Sequence, residues 1–255
     1  MTDPRRFVHL VEVMELDLMV WIHLVLGVLC FVTAALALLS PKGGALHRAA
    51  GQTFSLAVLP TAGIAVWFAI EANHMALLLV GLLNLHTVIS GYRVLYLKRS
   101  VPAHTLGPTR PGPLDKGMAQ MTLLGSCAIL AWAIFAWHVE RLAPLMIVLG
   151  LGGAVMALSD LKRFRQPPKD PHHWITTHAI RMIIAATLAA VTITVLQIAD
   201  QRVYVVWLAP LLLGMCLIGL WVWLISKRLT TYGDPDSFVE IRINDGAEKK
   251  ETSSN

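Results

Sequence analysis

Thr177-His178-Ala179-Ile180-Arg181-Met182-Ile183-Ile184 opens an apolar run that continues to Ile198. The run is long enough to cross a bilayer as a helix. On such a helix His178 and Arg181, three residues apart, share a face. Arg181 would lie roughly 10 Å below the end of the helix at 1.5 Å per residue. A guanidinium at that depth costs several kcal/mol unless water or an acid compensates it. The stretch therefore predicts both a membrane span and a polar site inside it.

The rest of the chain agrees with a membrane assignment. Of its 255 residues, 56% are hydrophobic and 15% are charged, with a mean hydropathy of +0.62. Soluble domains run nearer 45–50% apolar and 25% charged. The net charge of +5 and pI of 9.3 read as cationic loops on one side of a membrane rather than as a nucleic-acid surface. Cys30, Cys127 and Cys216 fall in three different apolar runs with no CxxC pairing. They signal neither a zinc site nor a disulfide framework and read as small packing residues.

Seven apolar runs predict an all-α bundle of seven transmembrane helices at about 18–40, 50–73, 75–97, 119–137, 142–161, 175–198 and 203–225. Residues 1–17 precede them as an interfacial helix or an extension of the first span, and their acidic character argues against a cleaved leader. Residues 227–255 form a polar tail that reads as solvated, with a short strand at 238–243. The turn Glu71-Ala72-Asn73-His74 makes the second and third spans a hairpin, and His138-Val139-Glu140-Arg141 does the same for the fourth and fifth. Pro102, Pro108, Pro111 and Pro113 make the linker between these hairpins extended. Gly150-Leu151-Gly152-Gly153-Ala154 and the alanines at 185, 186, 189 and 190 are small-residue faces for close helix packing.

Lys42, Arg48, Lys98, Arg99, Arg110, Lys116, Lys162, Arg163, Arg165, Lys169, Lys227 and Arg228 follow the odd-numbered spans, whereas the opposite loops offer Arg141 and Arg202. The positive-inside rule then places the amino terminus outside and the carboxyl terminus in the cytoplasm. On the inner side the ionisable set is His47, Arg48, Arg93, Asp160, His172, His173, His178 and Arg181. Asp160 is the carboxylate expected to serve one of the arginines if the third, fifth and sixth spans are neighbours. The plainer alternative for Arg93 and Asp160 is a pair of helix-end side chains reaching to the interface. On the outer side His23, His74 and His138, with Glu71 and Glu140, are candidates for a metal or proton-entry site, without any fixed ligand spacing. His86 is the deepest titratable group. It could be a haem ligand, a proton relay or a hydrogen-bonded core histidine; no other span offers a second histidine at its depth. There is no Walker A loop, GxSxG elbow, HExxH or dinucleotide fingerprint.

Four segments resemble one family. Lys42-Gly43-Gly44-Ala45-Leu46-His47-Arg48-Ala49-Ala50-Gly51 is similar to a K-G-x-x-H-R-x-x-G segment, Ser90-Gly91-Tyr92-Arg93 to an S-G-Y-R helix end, His178-Ala179-Ile180-Arg181-Met182 to an H-x-x-R-M stretch, and Trp207-Leu208-Ala209-Pro210 to a W-L-x-P helix start. The family is the bacterial predicted membrane proteins called domain of unknown function twenty-three-oh-six. The resemblance covers most of residues 20–225 and implies a location in the bacterial cytoplasmic membrane. It brings no established activity, but it singles out His47, Arg48, Arg93, His178 and Arg181. It implies an aromatic residue where this chain has His86, which weakens a haem role.

Three functions are therefore open. The first is a cytoplasm-facing His/Arg-lined site that binds or transports an anion or lipid headgroup, since arginine suits carboxylate and phosphate. The second is a haem-carrying redox protein. The third is a structural or accessory membrane protein in which buried ion pairs only set helix register.

Overall fold

The computed structural model describes residues 4–97, 111–140, 142–166, 168, 170, 173–198 and 204–232. Among the described residues there are seven α-helices and no strand: α1 (Pro4–Leu39), α2 (Ala45–Glu71), α3 (Met75–Arg93), α4 (Pro113–Phe135), α5 (Ala143–Arg165), α6 (His173–Ile198) and α7 (Tyr204–Tyr232). All seven contain a stretch long and apolar enough to span a bilayer. α1 is unbroken from Pro4, so residues 4–17 continue the helix of the first span. α7 likewise runs past the expected end of its span to Tyr232. The linker at 101–110, His172, Arg202 and the strand expected at 238–243 lie outside the described residues.

Residues 1–214 form one compact unit and 215–255 a second, which over its described part is the remainder of α7. In the first unit α3 is central, touching α2, α4, α5 and α6. The two expected hairpins are present. The α2–α3 turn closes as a Schellman motif: His74 N–H donates to the Ala69 carbonyl at 2.8 Å and Asn73 N–H to the Ile70 carbonyl at 3.0 Å. Asn73 supplies the left-handed residue this requires, at φ 50°, a conformation asparagine tolerates better than most side chains.

Close packing depends on residues without side chains. A Cβ on residue 91 would stand 2.7 Å from the Cβ of Arg181, and one on residue 153 would stand 2.3 Å from Ser126 Oγ. Gly91 thus brings α3 against α6, and Gly153 brings α5 against α4. Of the two small-residue faces expected from the sequence, that on α5 packs through Gly150 and Gly153, and that on α6 buries Ala185 completely. Leu79, Leu83, Met146, Leu188 and Val191 form a buried apolar core toward the α2–α3 and α4–α5 turns. Phe54, Val58, Val88 and Ala185 fill a second core against α1 and α2.

The outside of the bundle is equally apolar. Trp21, Val25, Val28 and Val32 are all more than half exposed, and their spacing places them on one face of α1. A continuous apolar stripe of that length suits hydrocarbon rather than water. The chain is a multi-pass membrane protein.

A charged cavity between α3, α4 and α5

The polar residues gather at the end of the first unit where α1, α3 and α5 finish, the end that carries the cationic loops. Asp160 lies five residues before the end of α5, His86 seven before the end of α3, and Arg181 eight after the start of α6. At 1.5 Å per residue these offsets correspond to roughly 8–12 Å. Three helices therefore deliver one charged or titratable group each to a single level.

There they form one cluster. Asp160 Oδ1 accepts from Arg181 Nη2 at 2.9 Å and from Arg163 Nη2. Arg163 Nη1 also donates to Thr177 Oγ1 at 3.0 Å, tying α5 to α6. His86 Nε2 is 3.0 Å from Asp160 Oδ2, although neither atom has an aligned hydrogen bond. Asp160 and His86 are 1% exposed and Arg181 is 4% exposed; the Arg163 side chain is 20% exposed. Two guanidiniums face one carboxylate, so this cluster carries at least one positive charge in excess. Arg163 Nε and Arg181 Nη1 are buried donors with no hydrogen-bond partner.

Arg93 belongs elsewhere. Its Nε and Nη2 donate to Asp115 Oδ1 and Oδ2, both at 2.8 Å, in a bidentate pair. Asp115 is the third residue of α4 after Gly112 and Pro113, and its Oδ2 also accepts the Gly112 N–H at 2.8 Å. It thus serves the α4 amino terminus, where a carboxylate is favoured, while Arg93 closes α3, where a cation is favoured. Of the arginines that Asp160 was a candidate to serve, it accepts from Arg181, and Arg93 is paired with Asp115 instead. The bidentate pair fixes the α3–α4 junction with the Arg93 side chain 31% exposed. Replacing Arg93 with Lys keeps the charge and loses the fork. We expect it to lower stability by about 1 kcal/mol, given the partial exposure, read as the unfolding midpoint in detergent.

His86, Arg93, Asp115, Asp160 and Arg163 all line one cavity of about 110 Å³. Asp170 and His173 stand on its wall at the α5–α6 connection. Ile89, Val94, Leu97, Met118 and Phe164 give the remaining wall an apolar character.

The described inner residues singled out from the sequence therefore divide. Arg93, Asp160 and His173 line the cavity, and Arg181 holds Asp160 from behind. His178, by contrast, donates from Nδ1 to the Gly91 carbonyl at 2.8 Å, and His47 donates from Nδ1 to the Ala37 carbonyl at 2.9 Å. Arg48 donates to the Gly43 carbonyl at 2.7 Å, where Gly43 adopts φ 74° in the α1–α2 turn. These three tie a side chain to a backbone carbonyl and are not on the cavity wall. Asp115 was not singled out beforehand, and Arg163 was counted only as a loop cation. The sequence signal for Asp115 was a carboxylate at the third position after Gly112-Pro113; for Arg163 it was the Asp160–Arg163 spacing of one helical turn.

The outer candidates do not converge. His23 donates to the Thr61 carbonyl at 3.1 Å and packs edge-on against Phe68, with ring centroids 6.0 Å apart. His74 precedes the first turn of α3, and His138 is exposed beyond α4. Among the described residues no group of three or more His, Cys, Asp or Glu is arranged to hold a metal ion. For haem the fit is poor: His86 Nε2 faces a carboxylate, and about 110 Å³ is smaller than the cavity of roughly 150 Å³ that takes up one benzene.

Fold and site together define a polytopic helical membrane protein with a charged cavity at its cation-rich end. No family model matches the chain, and it has no match among curated proteins or solved structures.

Proposed function

We propose that the cavity is an anion-binding site on the cytoplasmic side of a bacterial membrane, in a relative of the family that the four sequence segments resemble. The observation that carries this reading is the buried Arg163–Asp160–Arg181 arrangement, in which two guanidiniums share one carboxylate beside the cavity that Arg163 lines. A buried charge left without compensation costs several kcal/mol. An anion entering the cavity beside Arg163 supplies the compensating charge. The excess of Lys and Arg in the loops at the same end supports a cytoplasmic opening and draws anions toward it. A carboxylate or a phosphate, including that of a lipid headgroup, satisfies this chemistry. The site suits either a binding protein or the inward-facing half of a transport cycle.

Arg163 is the residue to test, because it reaches the cavity while Arg181 is sealed behind Asp160. Purified protein in nanodiscs should unfold at a higher temperature in sodium acetate or sodium phosphate than in an equal ionic strength of a sulfonate buffer. The Arg163→Gln variant should fold and lose that difference. An anion-dependent shift of the same size in Arg163→Gln would refute the site.

A further inference from the structure

The cation-poor end of the bundle carries a patterned surface of its own. Trp21 on α1, Trp67 on α2, Trp132 on α4 and Trp137 just beyond α4 are each more than a third exposed. We infer that these four tryptophans form an aromatic girdle that seats this end of the protein at the boundary between headgroups and hydrocarbon of one leaflet. The partner they fit is a phospholipid bilayer with a hydrocarbon core about 30 Å thick.

The four side chains share a level. His23 and Phe68 pack with ring centroids 6.0 Å apart, which sets Trp21 and Trp67 at similar heights. Ala76, Ala133 and Ala143 belong to one buried core, which brings the last turn of α4 to the height of the α2–α3 turn. From the opposite end, Trp21 lies 18 residues before the end of α1, Trp67 lies 22 after the start of α2, and Trp132 lies 19 after the start of α4. At 1.5 Å per residue these offsets are roughly 27–33 Å. Cations mark that opposite end. Lys42 donates to the Ala37 carbonyl at 2.9 Å where α1 finishes, and Arg93 closes α3. The aromatic and cationic levels are therefore one hydrocarbon thickness apart.

The tryptophans are divided between two helix pairs rather than gathered in one patch. α1 packs with α2, α4 packs with α5, and both pairs rest on α3. A protein docked on one pair leaves the tryptophans of the other uncovered, whereas a bilayer meets both.

Their chemistry selects the boundary over either bulk phase. An indole joins a large apolar ring to a single N–H donor. Among the described residues none accepts from these four N–H groups. In hydrocarbon each donor would be without an acceptor, and in water each exposed ring would stay hydrated. At the boundary the ring meets acyl chain while the N–H meets an ester, phosphate or water oxygen. Phe135 packs against Trp132 with ring centroids 6.4 Å apart. Phe135 and Val139 are more than four-fifths exposed and have no polar tip, so they draw the hydrocarbon up to the end of α4.

The experiment reconstitutes the full chain in phosphatidylcholine vesicles that contain a nitroxide lipid, labelled either near the ester or at the chain end. Trp21→Phe, Trp67→Phe, Trp132→Phe and Trp137→Phe each remove one indole. The emission lost relative to the wild type is the signal of that indole, and a Tyr replacement reads the same signal where the Phe variant folds poorly. At three or more of the four positions the shallow label should quench this signal more strongly than the deep one, by roughly twofold, as an interfacial indole requires. Three other outcomes, at two or more positions, would each overturn the girdle. Quenching by the deep label as strong as by the shallow one would place the indoles in the hydrocarbon interior. Quenching by aqueous acrylamide but by neither lipid label would place them in water. Quenching by none of the three would show that a second copy or another protein covers them.

Discussion

Asp160→Ala is expected to remove about 3–5 kcal/mol of stability, the cost of leaving buried cations without their carboxylate. The structure makes this the most damaging single change at the polar end. Asp160 is 1% exposed and is the acceptor for both Arg163 and Arg181. Its loss leaves two guanidiniums facing one another, with Arg181 only 4% exposed. Asp160→Asn should be nearly as harmful, because it keeps the shape and one acceptor but not the charge. The double variant Asp160→Leu/Arg181→Met should recover most of the loss, since a buried pair can often be replaced by apolar residues of similar volume. The measurement is the unfolding midpoint in detergent, with yield of monodisperse protein as a second readout. A loss below about 1 kcal/mol for both single variants would mean that the cluster is hydrated, and its energetics would then be those of a surface network.

The second large effect concerns Gly91. With a hypothetical Cβ 2.7 Å from Arg181 Cβ and 3.1 Å from Met182 Cε, any side chain there must push α6 away from α3. The same displacement breaks the His178 bond to the Gly91 carbonyl. Overpacking costs about 1–3 kcal/mol and the lost hydrogen bond about 1, so Gly91→Val should lose about 2–4 kcal/mol. Gly152 is the control. It is also helical, but nothing lies within 4 Å of its would-be Cβ, so Gly152→Val should change stability by no more than about 0.5 kcal/mol. Equal effects at the two positions would show that helix propensity, not the α3–α6 approach, decides the outcome. Because Arg181 stands on Gly91, Gly91→Val should also weaken any acetate-dependent stabilisation that survives.

Taken together these results separate two roles that sit within a few residues of each other. His47, Arg48 and His178 hold turns and helices by donating to carbonyls. Arg163, Asp160 and His86 form the wall of a cavity. Arg181 bridges the two, packed on Gly91 at its base and bonded to Asp160 at its tip. The Ser90-Gly91-Tyr92-Arg93 and His178-Ala179-Ile180-Arg181 segments are thus spatial partners, although 87 residues separate Gly91 from His178.

What the sequence determined by itself was the number of helices, their membrane-spanning character and the depth of each ionisable group. These follow from local quantities: run length against bilayer thickness, and rise per residue. Even the α2–α3 hairpin was readable, because a four-residue turn with Asn73 leaves the chain no other course. Which groups meet was decided only by the tertiary structure. Depth places Arg93, Arg163 and Arg181 near one end, but pairing depends on helix rotation about the axis. Rotation is set by where backbones approach, at Gly91 against Arg181 and Gly153 against Ser126. Those approaches turn Arg181 and His86 onto Asp160 and leave Arg93 to Asp115 on the neighbouring helix. A run of apolar letters records that a helix is buried in lipid; it does not record the angle at which the helix faces its neighbours. That angle converts the His178/Arg181 pair from two residues on one face into two separate jobs, one binding backbone and one binding a carboxylate.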